Sequence, residues 1–148
     1  MMEIITSRLI GKTEMMLVDS NLIFKDNFSN DKITLENILT LQPCTGKERG
    51  FCFYDKNNQD VLICHIGITF QRDKFEVSYG TKEPFRNKGY LTEALLGFID
   101  FIFNKTNESM IWGLPNGAVS QHILEKCGFK YVCEENGIRW FALERSKR

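Results

Sequence analysis

Phe75-Glu76-Val77-Ser78-Tyr79-Gly80-Thr81-Lys82-Glu83-Pro84-Phe85-Arg86-Asn87-Lys88-Gly89-Tyr90-Leu91-Thr92-Glu93-Ala94 is the stretch that decides how this chain folds. Its first part alternates apolar and polar residues, the period of a strand with one buried face. Its last part opens a helix, because Ala94, Leu95, Phe98, Ile99 and Ile102 fall on one face across Thr92 to Phe103. The loop between them carries Arg86, Asn87, Lys88 and Gly89. Backbone N–H groups at a helix start have no intrahelical partner and sit at the positive end of the helix dipole, so a strand, loop and helix in this order favour a bound phosphate or pyrophosphate. Gly89 lets the backbone approach such a group closely, and Arg86 and Lys88 add positive charge. The same residues also suit a solvated basic turn.

On the N-terminal side of this unit the pattern is that of an antiparallel meander: Phe51 to Tyr54, a turn at Asp55 to Asp60, Val61 to Phe70, a tight connection at Gln71 to Lys74, and Phe75 to Thr81. Alternation places Cys64, Ile66, Ile68 and Phe70 on one face of their strand, and Phe75, Val77 and Tyr79 on one face of the next. Since the two apolar sets must share a face, the register pairs Phe70 with Phe75, Ile68 with Val77 and Ile66 with Tyr79. The opposite face then sets Thr69 against Glu76, Gly67 against Ser78 and His65 against Gly80. Small residues there leave volume for a ligand, flanked by a carboxylate and an imidazole, although a histidine in such a place is more often a satisfied polar residue than a base.

Further out, Ile4 to Lys12 reads as a short strand, and Glu14 to Lys25 and Ile33 to Leu41 as helices, with Asn30-Asp31 as caps before the second. Pro43 to Gly50 reads as a loop. After the central helix, Met110 to Leu114 is a strand and Val119 to Lys126 a helix closed by Cys127-Gly128. The chain finishes in a hairpin, Phe129 to Glu134 and Ile138 to Glu144, turned at Asn136-Gly137.

Composition bounds the rest. The 148 residues, 43% hydrophobic and 26% charged, suit one domain spanning 1–148 with one sizeable core. Nineteen basic against nineteen acidic residues leave no surplus to neutralise an extended nucleic-acid footprint. Neither a secretory leader nor an apolar run of membrane-spanning length is present, so no membrane partner is expected. Cys44, Cys52, Cys64, Cys127 and Cys133 form no CxxC pair and read as small apolar residues in a reducing, cytoplasmic compartment. His122 lacks Cys or acidic neighbours at ligand spacing, and no metal is expected. Oligomeric state leaves no trace in the sequence.

Arg86-Asn87-Lys88-Gly89-Tyr90-Leu91 resembles the Arg/Gln-x-x-Gly-x-Gly/Ala motif of the GCN5-related N-acetyltransferase (GNAT) superfamily. Thr92-Glu93-Ala94, Glu76-Val77-Ser78-Tyr79, the opening Thr6-Ser7-Arg8-Leu9-Ile10, and Ser120, Leu124, Lys126, Gly128 and Phe129 are similar in order and spacing to the branch that includes the ribosomal-protein N-terminal acetyltransferases. Those matches span nearly the whole chain. Three positions depart from the pattern. Leu91 stands where the family prefers Gly or Ala, Gly117 stands where it places an asparagine that here falls at Asn116, and Leu124 stands where many members carry a tyrosine acid.

The resemblance implies an α/β (α+β) fold, a mixed and mostly antiparallel sheet flanked by helices, with splayed central strands. It implies an acyl-CoA site, with the pyrophosphate on the amides of Arg86, Asn87, Lys88, Gly89, Tyr90 and Leu91. The pantetheine would lie between parallel strands at Phe75 to Thr81 and Met110 to Leu114, contacting Ser78, Tyr79, Gly80, Asn116 and Ser120. The reading of the loop residues supports the first part; the second rests on resemblance.

Acyl transfer to an amine needs loss of an ammonium proton, stabilisation of an oxyanion and, optionally, protonation of the departing thiolate. Glu76 is the candidate base, with a plain surface carboxylate as the alternative. A backbone amide near Ser78 to Gly80 is implied for the oxyanion. Ser120 is the candidate proton donor, with a helix cap as the alternative. Glu93 is accounted for by the helix dipole. The expectation is an acetyl-CoA-dependent N-acetyltransferase acting directly on a primary amine of a small molecule or protein N-terminus. The rival is a catalytically weak acyl-CoA-binding sensor or interaction module.

Overall fold

A computed structural model describes residues 3–19, 22–25, 47–71 and 74–147. The order is β1 (Glu3–Ile5), β2 (Leu9–Asp19), β3 (Leu22–Lys25), β4 (Lys47–Asp55), β5 (Asn58–Gln71), β6 (Lys74–Thr81), α1 (Tyr90–Lys105), β7 (Met110–Gly113), α2 (Ala118–Lys126), β8 (Lys130–Glu135) and β9 (Ile138–Glu144). The nine strands form one sheet in the order β1-β2-β4-β5-β6-β7-β9-β8, with β3 paired to β2. Every pairing is antiparallel except β6 with β7, which is parallel.

The β5–β6 register is the one that hydrophobic matching requires: Phe70 with Phe75, Ile68 with Val77, Ile66 with Tyr79, and on the other face Thr69 with Glu76, Gly67 with Ser78 and His65 with Gly80. Apolar residues of β4, β5 and β6 pack under α1, whose buried stripe is Leu91, Ala94, Leu95, Phe98, Ile99, Ile102 and Phe103. Phe98 meets Phe51 edge-on at 6.0 Å and stacks on Phe75 at 6.3 Å, geometries that aromatic quadrupoles favour. A smaller cluster of Ile10, Cys52 and Tyr54, with Leu62, forms separately. Arg145 closes the C-terminal end of α1, donating from Nη2 to the carbonyls of Thr106 at 2.7 Å and Glu108 at 2.6 Å and from Nη1 to that of Phe103. Its charge faces the negative end of the helix dipole.

The N-terminal third departs from the sequence expectations. Glu14 to Lys25 is not a helix but the end of β2 and all of β3, paired from Met16 with Lys25 to Asp19 with Leu22. Two short apolar runs joined by two residues suit a helix face and a hairpin about equally well, and pairing with β4 decides it. The single strand expected over Ile4 to Lys12 is two strands, broken where the Thr6 hydroxyl accepts from the Leu9 N–H at 3.1 Å and the Thr6 N–H donates to the Leu9 carbonyl at 3.0 Å. Lys47 to Gly50, expected within a loop, belongs to β4. The helix expected at Ile33 to Leu41, its Asn30-Asp31 caps, the rest of the Pro43 to Gly50 loop, and Cys44 lie outside the described residues. Elsewhere the elements agree to within a few residues, and the Asn136-Gly137 turn has the two positive φ values, 52° and 80°, of a tight hairpin.

Candidate active site

β6 runs into α1 through a connection with two left-handed residues. A single 3-10 turn at Glu83–Phe85 follows the strand, and Arg86 then folds its Nε back onto the Thr81 carbonyl at 3.1 Å. Asn87 (φ 63°) and Gly89 (φ 77°) bracket Lys88, a backbone course of the kind that turns successive N–H groups inward. Gly89 is the N-cap of α1 and no side chain caps its first turn. A Cβ built on Gly89 would meet only Arg8 Nη2, at 3.6 Å, and the positive φ itself favours glycine there. Leu91, whose bulk departs from the motif, is buried with the core under α1.

The loop is held from outside by the turn between β1 and β2. Arg8 Nε donates to Glu93 Oε1 at 2.8 Å, the Arg8 N–H donates to Glu93 Oε2 at 2.9 Å, and the Thr6 hydroxyl also donates to Oε2. Arg8 Nη1 donates to the Lys88 carbonyl at 3.1 Å, and its guanidinium carbon lies 4.0 Å from the Tyr90 ring centre. Burial pushes the Glu93 carboxyl up, but the bonds from Thr6 and Arg8 outweigh it and hold the group below the usual carboxylate range. Glu93 is thus an anchor as well as a favourable charge for the dipole. Sequence reasoning missed it, because the contact spans 85 positions and depends on where β1 packs; the only pointer was the Thr6-Ser7-Arg8 segment.

Before the loop, β6 and β7 part. Their parallel ladder consists of Glu76 with Trp112 and Val77 with Gly113, after which β6 continues to Thr81 and β7 ends. Ser78, Tyr79 and Gly80 therefore sit on the open length of β6. Ser120 faces them from the first turn of α2: the Tyr79 hydroxyl lies 2.8 Å from Ser120 Oγ and 3.1 Å from the Ser120 carbonyl oxygen, and its one proton can go to either. Burial pushes the Tyr79 phenol up to about 12, partly offset by the bond to Ser120. Ser120 is not the helix cap; that place is taken by Gly117, at φ 101° and ψ 176°. Only glycine adopts this conformation readily, which accounts for the absence of an asparagine there. Asn116 is exposed in the connection before it. Leu124 is fully buried and packs over Gly113.

The sheet face opposite α1 carries Glu76, half-buried, with Oε2 sealed from solvent. His65 is the satisfied polar residue rather than a group flanking an open volume. It is 4% exposed, its Nδ1 donates to the Gly80 carbonyl at 3.2 Å, and burial lowers its pKa to about 4, so it stays neutral. Trp112, the register partner of Glu76, meets Trp140 edge-on at 5.9 Å, and Lys74 Nζ lies 5.2 Å and 4.8 Å from the two ring centres. A cleft of about 390 Å³ opens there, lined by Lys74, Glu108, Ser109, Met110, Trp112 and Glu135 among others. His122 is exposed on α2.

The family model for the acetyltransferase (GNAT) domain matches residues 28–130. Among solved structures, the chain is similar to a GNAT-family acetyltransferase from Bacillus anthracis, with a TM-score of 0.65, 16% identity and coverage of 98% of this chain and 99% of that one. A spermidine N-acetyltransferase from Vibrio cholerae gives 0.58 and 20%, covering 68% of this chain and 66% of that one. A ribosomal-protein alpha-N-acetyltransferase solved with coenzyme A gives 0.52 and 12%, covering 65% and 61%. At these identities the structures share a fold. No curated protein matches the chain in sequence.

Proposed function

This chain belongs to the GNAT family of acetyltransferases, and on that premise we propose that it transfers an acetyl group directly from acetyl-CoA to a primary amine of a small molecule or a protein N-terminus. The observation that carries this reading is the parting of β6 from β7 after Val77 and Gly113, close to a left-handed loop that opens α1 without a side-chain cap. Bound acetyl-CoA supplies an activated acetyl thioester. The amides of Asn87 to Leu91 suit its pyrophosphate, with Arg86 and Lys88 adding charge and Asn116 at the rim. Ser78, Tyr79, Gly80 and Ser120 border the gap that would take the pantetheine arm.

Glu76 lies one residue before the strands separate, in register with Trp112, and is the carboxylate read as meeting the amine. It takes one proton from the ammonium, directly or through water, before the nitrogen attacks. A backbone amide near Ser78 to Gly80 takes the developing oxyanion on this reading. Ser120, on the other face, serves the departing sulfur. The acetyl–sulfur bond breaks as the amide bond forms; of the two protons the nitrogen loses, one ends on solvent and one is balanced by the proton gained by sulfur. No side-chain nucleophile is required.

The acceptor class is supported by relatives named for spermidine and for ribosomal-protein termini. A cytoplasmic setting, where buried thiols such as Cys52, Cys64 and Cys127 stay reduced, fits the same reading. The test is a screen of free-CoA release against terminal peptides, polyamines, aminoglycosides and amino acids, alongside thermal shift with acetyl-CoA. Stabilisation by acetyl-CoA together with amine-dependent thiol release is expected. Stabilisation with no release across the panel would favour a sensor, and no stabilisation by any short-chain acyl-CoA would remove both readings.

A further inference from the structure

Tyr79 spans the opening between β6 and α2. It lies two residues beyond the last β6–β7 register pair, and both of its polar contacts, the 2.8 Å approach to Oγ and the 3.1 Å bond to the carbonyl, go to Ser120. A phenol has one proton and a seryl hydroxyl has one, so the pair has few arrangements. If Tyr79 gives its proton to the Ser120 carbonyl, the seryl proton points at the phenol. If Tyr79 gives its proton to Oγ, the seryl proton points away from the phenol and is free for another partner. Either way the phenol governs where the seryl proton goes.

We propose that Tyr79 is a positioning residue that holds the second arrangement, giving its proton to Ser120 Oγ so that the seryl proton is free to face the sulfur of the leaving CoA. This rests on the reading of Ser120 as the group that serves that sulfur. Ser120 Oγ passes its proton to the sulfur that has taken the electron pair of the broken acetyl–sulfur bond, and regains one from water. Tyr79 keeps its own proton throughout. Its burial favours the neutral phenol, so it remains a donor across the pH range in which amines are acetylated. Leu124, one turn along α2, packs on Gly113 and offers no competing polar group.

The experiment compares wild type, Tyr79→Phe, Ser120→Ala and the double variant. It follows the ultraviolet thiolate signal of bound CoA against pH, the dissociation constant of CoA, and kcat. Tyr79→Phe keeps the ring and deletes only the hydroxyl. Expected are a bound thiol that ionises at lower pH in wild type than in either single variant, and a CoA dissociation constant within about twofold. For kcat, losses of about tenfold for Tyr79→Phe and about a hundredfold for Ser120→Ala are expected. The double variant should be no worse than Ser120→Ala, because Tyr79 acts only through Ser120. A thiolate titration changed by Ser120→Ala but not by Tyr79→Phe, or additive losses of kcat, would overturn the role of Tyr79 and leave that of Ser120. No change on Ser120→Ala would remove the underlying reading and the proposal with it.

Discussion

Arg8 Nε lies 2.8 Å from Glu93 Oε1, joining the β1–β2 turn to the first turn of α1 across 85 positions of sequence. The same guanidinium reaches the Lys88 carbonyl and covers the Tyr90 ring, so one exposed arginine braces the loop. On the proposal that the loop amides hold the pyrophosphate, the backbone must already be in place when the ligand arrives, and this brace would hold it.

Arg8→Ala should therefore weaken acetyl-CoA binding by about tenfold while costing the fold only about 1 kcal/mol, since Arg8 itself is substantially exposed and Glu93, though only 20% exposed, keeps its bonds from Thr6 and from the backbone N–H of residue 8. Arg8→Lys keeps the charge but not the forked geometry and should recover little of the affinity. Titration calorimetry with CoA and a urea melt separate the two effects. A loss of stability of several kcal/mol with normal affinity would assign Arg8 a purely structural part.

Gly117 is the second strict requirement of the backbone. Its φ of 101° with ψ of 176° starts α2 at the angle that presents Ser120 to Tyr79. Gly117→Ala should cost about 1–3 kcal/mol in a urea melt and lower kcat more than it raises the KM for acetyl-CoA. A variant as stable and active as wild type would show that the start of α2 tolerates another course.

His65 makes stability depend on pH. Its folded pKa of about 4 lies below the ordinary 6.5, so the unfolded chain binds a proton that the folded chain refuses between those values. The contribution is fully present above pH ~6.5 and is lost as pH falls towards ~4, at most about 3 kcal/mol in all. In His65→Gln that part of the pH dependence should vanish, as read from urea midpoints at pH values across the window. An unchanged slope in the variant would mean that other groups carry it.

How far these features could be read from sequence follows from the range over which each is determined. The β5–β6 register was legible because alternating residues on two strands joined by a tight turn leave one way to share an apolar face. The strand, loop and helix around Gly89 were legible because their signals are local. Glu14 to Lys25 was misread as helical because its two apolar runs, Met15 to Val18 and Leu22 to Phe24, also fit a helix face and its partner, β4, lies outside any local window. His65 was placed on the correct face, but its burial and its bond to Gly80 depend on what packs around it. The Arg8–Glu93 brace and the Tyr79–Ser120 contact belong to tertiary packing, which no local pattern encodes. Of the residues expected to hold the cofactor arm, the sequence could name Tyr79 and Ser120 but not that they touch.

The central claim is that Glu76 removes the amine proton at the point where β6 leaves β7. The most direct test is a single-turnover assay of Glu76→Gln against wild type, with acetyl-CoA binding measured on the same samples. The account predicts an unchanged thermal shift with acetyl-CoA and a rate lowered by about a hundredfold near neutral pH, partly regained as rising pH deprotonates the amine in solution. A variant that binds acetyl-CoA and acetylates its amine at the wild-type rate would contradict it.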